Sequence, residues 1–136
     1  MGQTTLITNL LLVAAGAATG GMARYLVVNY LPAEGSSIVG TALANVSGCL
    51  LIGLIWGLLD CLNAPKSLYL LLVTGMLGGY TTYSSYALDT VTMMSSGMYW
   101  RAFIYAVGTA VIGIAACLGG LAAVRGAFNL IERFNS

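Results

Sequence analysis

Apolar residues run through this chain in four long stretches. Short polar segments separate them, and one polar cluster falls inside a stretch instead of between two. The stretches cover approximately residues 6–31, 38–59, 68–94 and 99–125, each near the ~20 residues that carry a helix across a bilayer. Pro32 marks the end of the first, and residues 33–37 make a short polar loop. Asp60 to Ser67, with Pro65 and Lys66, form the longest turn, and Ser95-Ser96-Gly97 form the next. Residues 127–134 set Phe128, Leu130, Ile131 and Phe134 among Asn129, Glu132 and Arg133, a pattern for a short interfacial helix. The expected fold is an all-α integral membrane protein, a single domain over residues 1–136 with four transmembrane helices.

Composition narrows the function classes. Hydrophobic residues make up 59% of the 136 and charged residues 7%, against roughly 25% charged in a soluble domain. So few charges cannot clothe a water-exposed surface, which excludes a soluble enzyme. The net charge of +1 argues against nucleic acid, which needs a basic face. There is no histidine, and Cys49, Cys61 and Cys117 show no ligand spacing. Cys49 and Cys117 lie in apolar runs and are expected to pack as small hydrophobes. No nucleophile–base pair stands out, so no enzyme is expected. The first apolar run lacks a basic leading region and outruns a signal peptide, so it should be retained. Leu6 stands where a myristoylation signal needs Ser or Thr.

Small residues recur at helical spacing. Gly16-x-x-x-Gly20, with Gly21 beside it, gives the first span a flat face for close helix contact. Gly40, Ala44 and Gly48 make a ridge on the second, and Thr41, Asn45 and Cys49 follow one residue later. Gly53-x-x-x-Gly57 closes that span near Trp56, an interfacial anchor. The fourth span opens on the anchor Tyr99-Trp100-Arg101 and carries Tyr105, Thr109, Gly113 and Cys117 on one small, weakly polar face. Arg24 sits in the last third of the first span, facing protein or a watery mouth, or else snorkelling to the interface.

The third span holds the polar cluster, Gly75 to Asp89, with three tyrosines, Thr81, Thr82, Ser84, Ser85 and a carboxylate. Lipid offers no hydrogen-bond partners, so this polarity must face protein, water or an ion. Gly78-Gly79 followed by β-branched Thr81-Thr82 is poor material for an unbroken helix, and a broken third helix is expected. Freed carbonyls at such breaks commonly hold a cation. Four spans put both termini on one side with Lys66, Arg125 and Arg133, leaving Arg101 and Arg24 opposite. That bias is too small to choose an orientation. Two copies inserted opposite ways would pair antiparallel about a twofold axis in the membrane plane.

The run Gly78-Gly79-Tyr80-Thr81-Thr82-Tyr83-Ser84-Ser85-Tyr86 resembles the GG-x-TTFS-T/S-F signature of the Fluc/CrcB fluoride channels. Gly20-Gly21-Met22-Ala23-Arg24-Tyr25 is similar to their GG-x-x-R-[YW] element. Gly40-Thr41-Ala42-Leu43-Ala44-Asn45 with Gly48 is similar to their GT-x-x-x-N-x-x-G element. The resemblance implies a multi-pass protein of the cell inner (plasma) membrane, a dual-topology antiparallel homodimer that exports fluoride passively through two pores. It implies a central structural Na⁺ on the backbone carbonyls of Gly78 and Thr81. Carried over by position, the pore amide is Asn45 and the vestibule arginine Arg24. The pore rings fall on Tyr83 and Tyr86, and the pore hydroxyl on Ser84, with Ser85 next. An acidic position falls on Asp89, and a polar track falls near Thr109, Gly113 and Cys117. The chain departs from the family where both pore phenylalanines are tyrosines and where the track lacks hydroxyls at Gly113 and Cys117.

Fluoride is small and strongly hydrated. Moving even a carboxylate-sized ion into a low-dielectric medium costs of order 20 kcal/mol by an idealised estimate, and one hydrogen bond to a charge returns about 1.5–3 kcal/mol. The path therefore needs successive donors: Asn45, Ser84, Ser85, the ring edges of Tyr83 and Tyr86, and Thr109, with residual water. Tyr83 and Tyr86 are three apart on one helical face, where two rings can bracket an ion. Each residue also has a plainer role. Asn45 can bridge helices, the tyrosines can pack, Asp89 can cap or pair, and the glycine cluster can be a metal-free kink. Two other functions compete. A proton-coupled small multidrug-type exporter needs a carboxylate in its first span, and the first here is Glu34, in a loop. A non-transporting scaffold leaves the Gly-Gly-x-Thr-Thr cluster without a reason.

Overall fold

The computed structural model describes residues 3–30 and 37–135. Helix α1 is Gln3–Tyr30 and α2 is Ser37–Cys61. Helix α3 covers residues 66–80, α4 is Tyr83–Ser95 and α5 is Tyr99–Asn135. The expected stop at Pro32 and the loop carboxylate Glu34 lie outside the described residues. Three helices, over Thr4–Tyr30, Ser37–Cys61 and Tyr99–Phe134, are long and apolar enough to cross a membrane. The bent pair α3–α4 makes the fourth helical element beside them.

The last helix differs from expectation. Residues 127–134 continue α5 without a break. A lone Gly126 costs about 1 kcal/mol in a helix, and no proline follows to stop the ladder. At 1.5 Å per residue the 37 residues reach about 56 Å, well beyond the ~30 Å hydrocarbon core.

Helix α3 carries a second surprise. After one α turn at Lys66–Leu68 it widens into π geometry over Tyr69–Leu77, then tightens again at Gly78–Tyr80. The widened turns lie where α3 meets α1 backbone to backbone. A Cβ on Gly75 would stand 2.9 Å from the Gly16 Cα, and one on Gly79 would stand 2.6 Å from the Ala17 carbonyl oxygen. The sequence's Gly16/Gly20 face therefore has its partner on α3.

Helices α2 and α5 make the other tight pair. A Cβ on Gly120 would lie 2.6 Å from the Leu50 oxygen, and a Cβ on Gly53 would strike the Cys117 carbonyl. In each pair the contacts climb together along both chains, so α1 runs parallel to α3 and α2 parallel to α5. Arg125 reaches Asp60 at 3.4 Å and lies over the Trp56 ring at 5.8 Å. This end of the bundle also carries Lys66. Arg24 shares a recess with Ser37, and Arg101 shares one with Ile38, at the opposite end.

Few side chains are enclosed: Ala44, Leu59, Leu77, Met93 and Ala102 are the buried apolar ones among the described residues. Large apolar side chains such as Leu11, Ile114 and Leu118 point outward. Such a surface suits lipid rather than water. Glycine contact and helix–helix complementarity, rather than a central oily core, hold the bundle.

Candidate functional site: a groove beside the helix break

The break falls at Thr81 and Thr82, both extended, with φ/ψ of −82/154° and −146/116°. The Thr81 N–H still closes a turn onto the Leu77 oxygen at 3.0 Å, and the Thr81 hydroxyl donates to the same oxygen at 3.0 Å. Beyond it the ladder stops. Thr82 caps α4, its hydroxyl accepting from the Ser85 N–H at 3.2 Å. That hydroxyl also donates to Ser85 Oγ at 3.1 Å and lies 3.2 Å from Ser84 Oγ.

The Thr82 peptide groups, which a continuous helix would have used, go to Asn45 on α2. The Thr82 N–H donates to Asn45 Oδ1 at 2.7 Å, and Asn45 Nδ2 donates to the Thr82 oxygen at 3.0 Å. A carboxamide is the side chain that matches a peptide group donor for acceptor, and this partner set fixes which way the amide points. One N–H of Asn45 is left over. Among the described residues, no backbone N–H closes a turn onto the carbonyls of Gly78, Gly79, Tyr80 or Thr81. These are the orphan acceptors of a helix C-terminus.

Those carbonyls are the group that would hold a cation. Gly78 is exposed, and the only atom near a Cβ built on it is the Val73 oxygen at 3.8 Å, so its flank is open. Unpaired carbonyl oxygens at a half-helix C-terminus are the donor set that Na⁺ takes in other membrane proteins, and Gly78 and Thr81 fit that role.

A groove of about 510 Å³ lies between α2, the break, α4 and α5. It brings together Asn45, Thr82, Tyr83, Tyr86 and Thr109, with Gly113 and Cys117 farther along α5. A second recess, about 460 Å³, holds Arg24, Asn29, Thr41, Ser85 and Asp89. Thr82 lines both, so the two recesses meet across that residue. Arg24 is half-buried and has no carboxylate within ion-pair reach among the described residues. Ser84 lines neither recess; it is exposed beside Thr82.

The tyrosines are arranged differently from two rings flanking a gap. Tyr83 and Tyr86 lie against each other, centroids 5.7 Å apart and planes at 40°, so the two line the groove as one packed pair. Tyr105 continues the series, 5.5 Å from Tyr86. The Tyr86 hydroxyl donates to the Ala106 oxygen at 2.8 Å, so the oxygen that phenylalanine lacks is tied to α5 and kept from the groove. Asp89 accepts from the Tyr105 hydroxyl at 3.2 Å, which is the pairing role for that carboxylate. Sequence reasoning passed over Thr82 as a site residue. Its signal was there: a threonine three residues before Ser85 at a helix start is an N-cap pattern.

Comparison with known proteins shows the family. The model of the family described as CrcB-like protein, Camphor Resistance (CrcB), matches residues 11–121. A protein of Hydrogenobaculum sp. (strain Y04AAS1) named fluoride-specific ion channel FluC is 39% identical over 120 residues, covering 83% of this chain and 98% of its own. The Caulobacter sp. (strain K31) protein of the same name is 38% identical, with 91% and 100% covered. That of Paracoccus denitrificans (strain Pd 1222) is 42% identical, with 85% and 94% covered. With the matched region reaching from α1 to late α5 and taking in the whole of the break and its groove, this chain belongs to the CrcB family of membrane channels.

Proposed function

We propose that this protein is a fluoride channel of the plasma membrane, letting the ion leave the cell passively and so limiting its toxicity. The observation that carries the reading is the convergence of Asn45, Tyr83, Tyr86 and Thr109 on one groove beside a broken helix, in a chain whose relatives are named fluoride-specific channels. The groove supplies donors in series: the remaining Asn45 N–H, the Thr109 hydroxyl, and the electropositive edges of the tyrosine pair. Across Thr82 the Ser85 hydroxyl and the Arg24 guanidinium continue the line towards the membrane surface. Several weak sites in sequence let a strongly hydrated anion enter and also leave.

The active unit in this reading is an antiparallel homodimer with two such paths. Its support is the near balance of cations at the two ends of the bundle and the exposed, unclosed carbonyl flank at Gly78. Two copies would bring Gly78 and Thr81 of each chain around one Na⁺, which would act structurally, neutralising four carbonyl dipoles and tying the two breaks together.

Purified protein in liposomes, followed with a fluoride electrode, tests the function. Rapid fluoride efflux with chloride retained is expected, and efflux should fade when Na⁺ is replaced by a large organic cation throughout. Chloride leaving as fast as fluoride would reject selectivity. Orientation is tested separately by protease protection of a C-terminal tag in sealed cell-membrane vesicles. About half the tag should resist digestion, as two opposed copies per dimer require; uniform protection or uniform loss rejects dual topology.

A further inference from the structure

The groove contains two thiols that the fluoride reading does not use. Cys49 on α2 and Cys117 on α5 are both free, both half-buried, and both line it. Their placement is tightly determined. Cys49 Sγ stands 3.2 Å from the point a Cβ on Gly113 would occupy. Cys117 follows Gly113 by one helical turn on the same face of α5. Because the Cα–Cβ bond of a helical residue leans towards the helix N-terminus, the Cys117 Cβ leans towards the Gly113 turn, against which Cys49 stands. Gly113 has no side chain to fill the space between them. The register cannot drift, since the Gly53 backbone packs directly on the Cys117 carbonyl and Gly120 packs on Leu50. Cys61 is remote, at the far end of α2.

From this geometry we propose that Cys49 and Cys117 together form a binding site for a soft, thiophilic cation inside the groove, and that its occupancy blocks the path. Thiolate pairs select soft d¹⁰ cations over the hard ions of the medium. The chemistry balances without an oxidant: a mercuric ion forms two S–Hg bonds, each thiol loses its proton to water, and no sulfur changes oxidation state. The metal site rests on the thiol geometry alone. The block rests in addition on the groove being the fluoride route.

The test uses mercuric ion and Cys61→Ser protein, which removes the remote thiol. One mercury per chain is expected, with the ultraviolet charge-transfer band of a bis-thiolate complex. Fluoride efflux from liposomes should be lost and should return on adding a dithiol. Adding Cys49→Ser or Cys117→Ser should abolish the bis-thiolate band. Should either serine variant fail to assemble, proteolysis of the mercury-loaded Cys61→Ser protein supplies the same answer: fragments containing Cys49 and Cys117 must emerge joined by one metal. Two mercury ions per chain, a band that survives loss of either thiol, or unjoined fragments would overturn the pair. A joined pair with undiminished efflux would uphold the metal site and overturn the groove as the ion's route.

Discussion

Gly20→Ala protein unfolds earlier in detergent than the wild type, by about 1–3 kcal/mol or more, while Gly21→Ala matches the wild type or exceeds it by up to about 1 kcal/mol. The two glycines are neighbours on one helix, and an added Cβ would meet another helix at only one of them. A Cβ on Gly20 would fall on the Met76 carbonyl oxygen, with the Met76 carbonyl carbon at 2.8 Å and the Tyr80 nitrogen at 2.9 Å. Every one of those atoms is backbone, so no side chain can swing aside and α1 must lift away from α3. At Gly21 there is nothing within 4 Å, and the alanine gains helix propensity of up to about 1 kcal/mol. Denaturant titration by circular dichroism in one detergent compares the pair directly. Equal stability of both variants would mean that α1 does not dock on α3 through this face.

That contact was half legible. Gly16-x-x-x-Gly20 announces a close-packing face without naming its partner, and the partner is the stretch of α3 that contains Gly75 and Gly79. The polar cluster announced a broken helix but for a partly mistaken reason. Gly78 and Gly79 both remain helical; Gly79 is small because Ala17 presses on it, and Gly78 leaves its flank open. The chain opens instead at the two threonines, whose hydroxyls and β-branching favour capping over continuation. The π turns over Tyr69–Leu77 left no trace in the apolar pattern, because an all-round apolar segment has no polar face to betray one extra residue per turn. The unbroken run of α5 past Gly126 was missed because mixed polarity at 127–134 resembles an interface whether or not the backbone pauses.

The tie between Asn45 and Thr82 was the least legible contact, since it joins residues 37 apart in sequence. It also changes what a substitution at Asn45 reports. In Asn45→Ala the Thr82 N–H and carbonyl lose both partners in a place without bulk water, at about 1–3 kcal/mol for each orphaned group. The expected result is a loss of roughly 2–6 kcal/mol in unfolding free energy, together with loss of fluoride efflux. Asn45→Asp separates the two roles. As a neutral acid the new side chain has one O–H donor and one carbonyl acceptor, the same pairing that Thr82 now receives from the amide. As a carboxylate it only accepts, and it sets negative charge against the Thr82 oxygen. Because the native contact favours the protonated form, its stability is present at low pH and is lost as pH rises through the acid's titration in the fold. Asn45→Asp protein should therefore stay assembled in acid and loosen towards neutral pH, while the wild type shows no such trend over the same range. Size-exclusion profiles and tryptic cleavage near the break, measured across pH, follow the assembly. Fluoride efflux is read in parallel at the acid end, where the lock is intact. If efflux persists there, Asn45 serves only to hold the break open. If assembly survives and efflux vanishes, the leftover N–H that the acid cannot supply is the one that meets the ion.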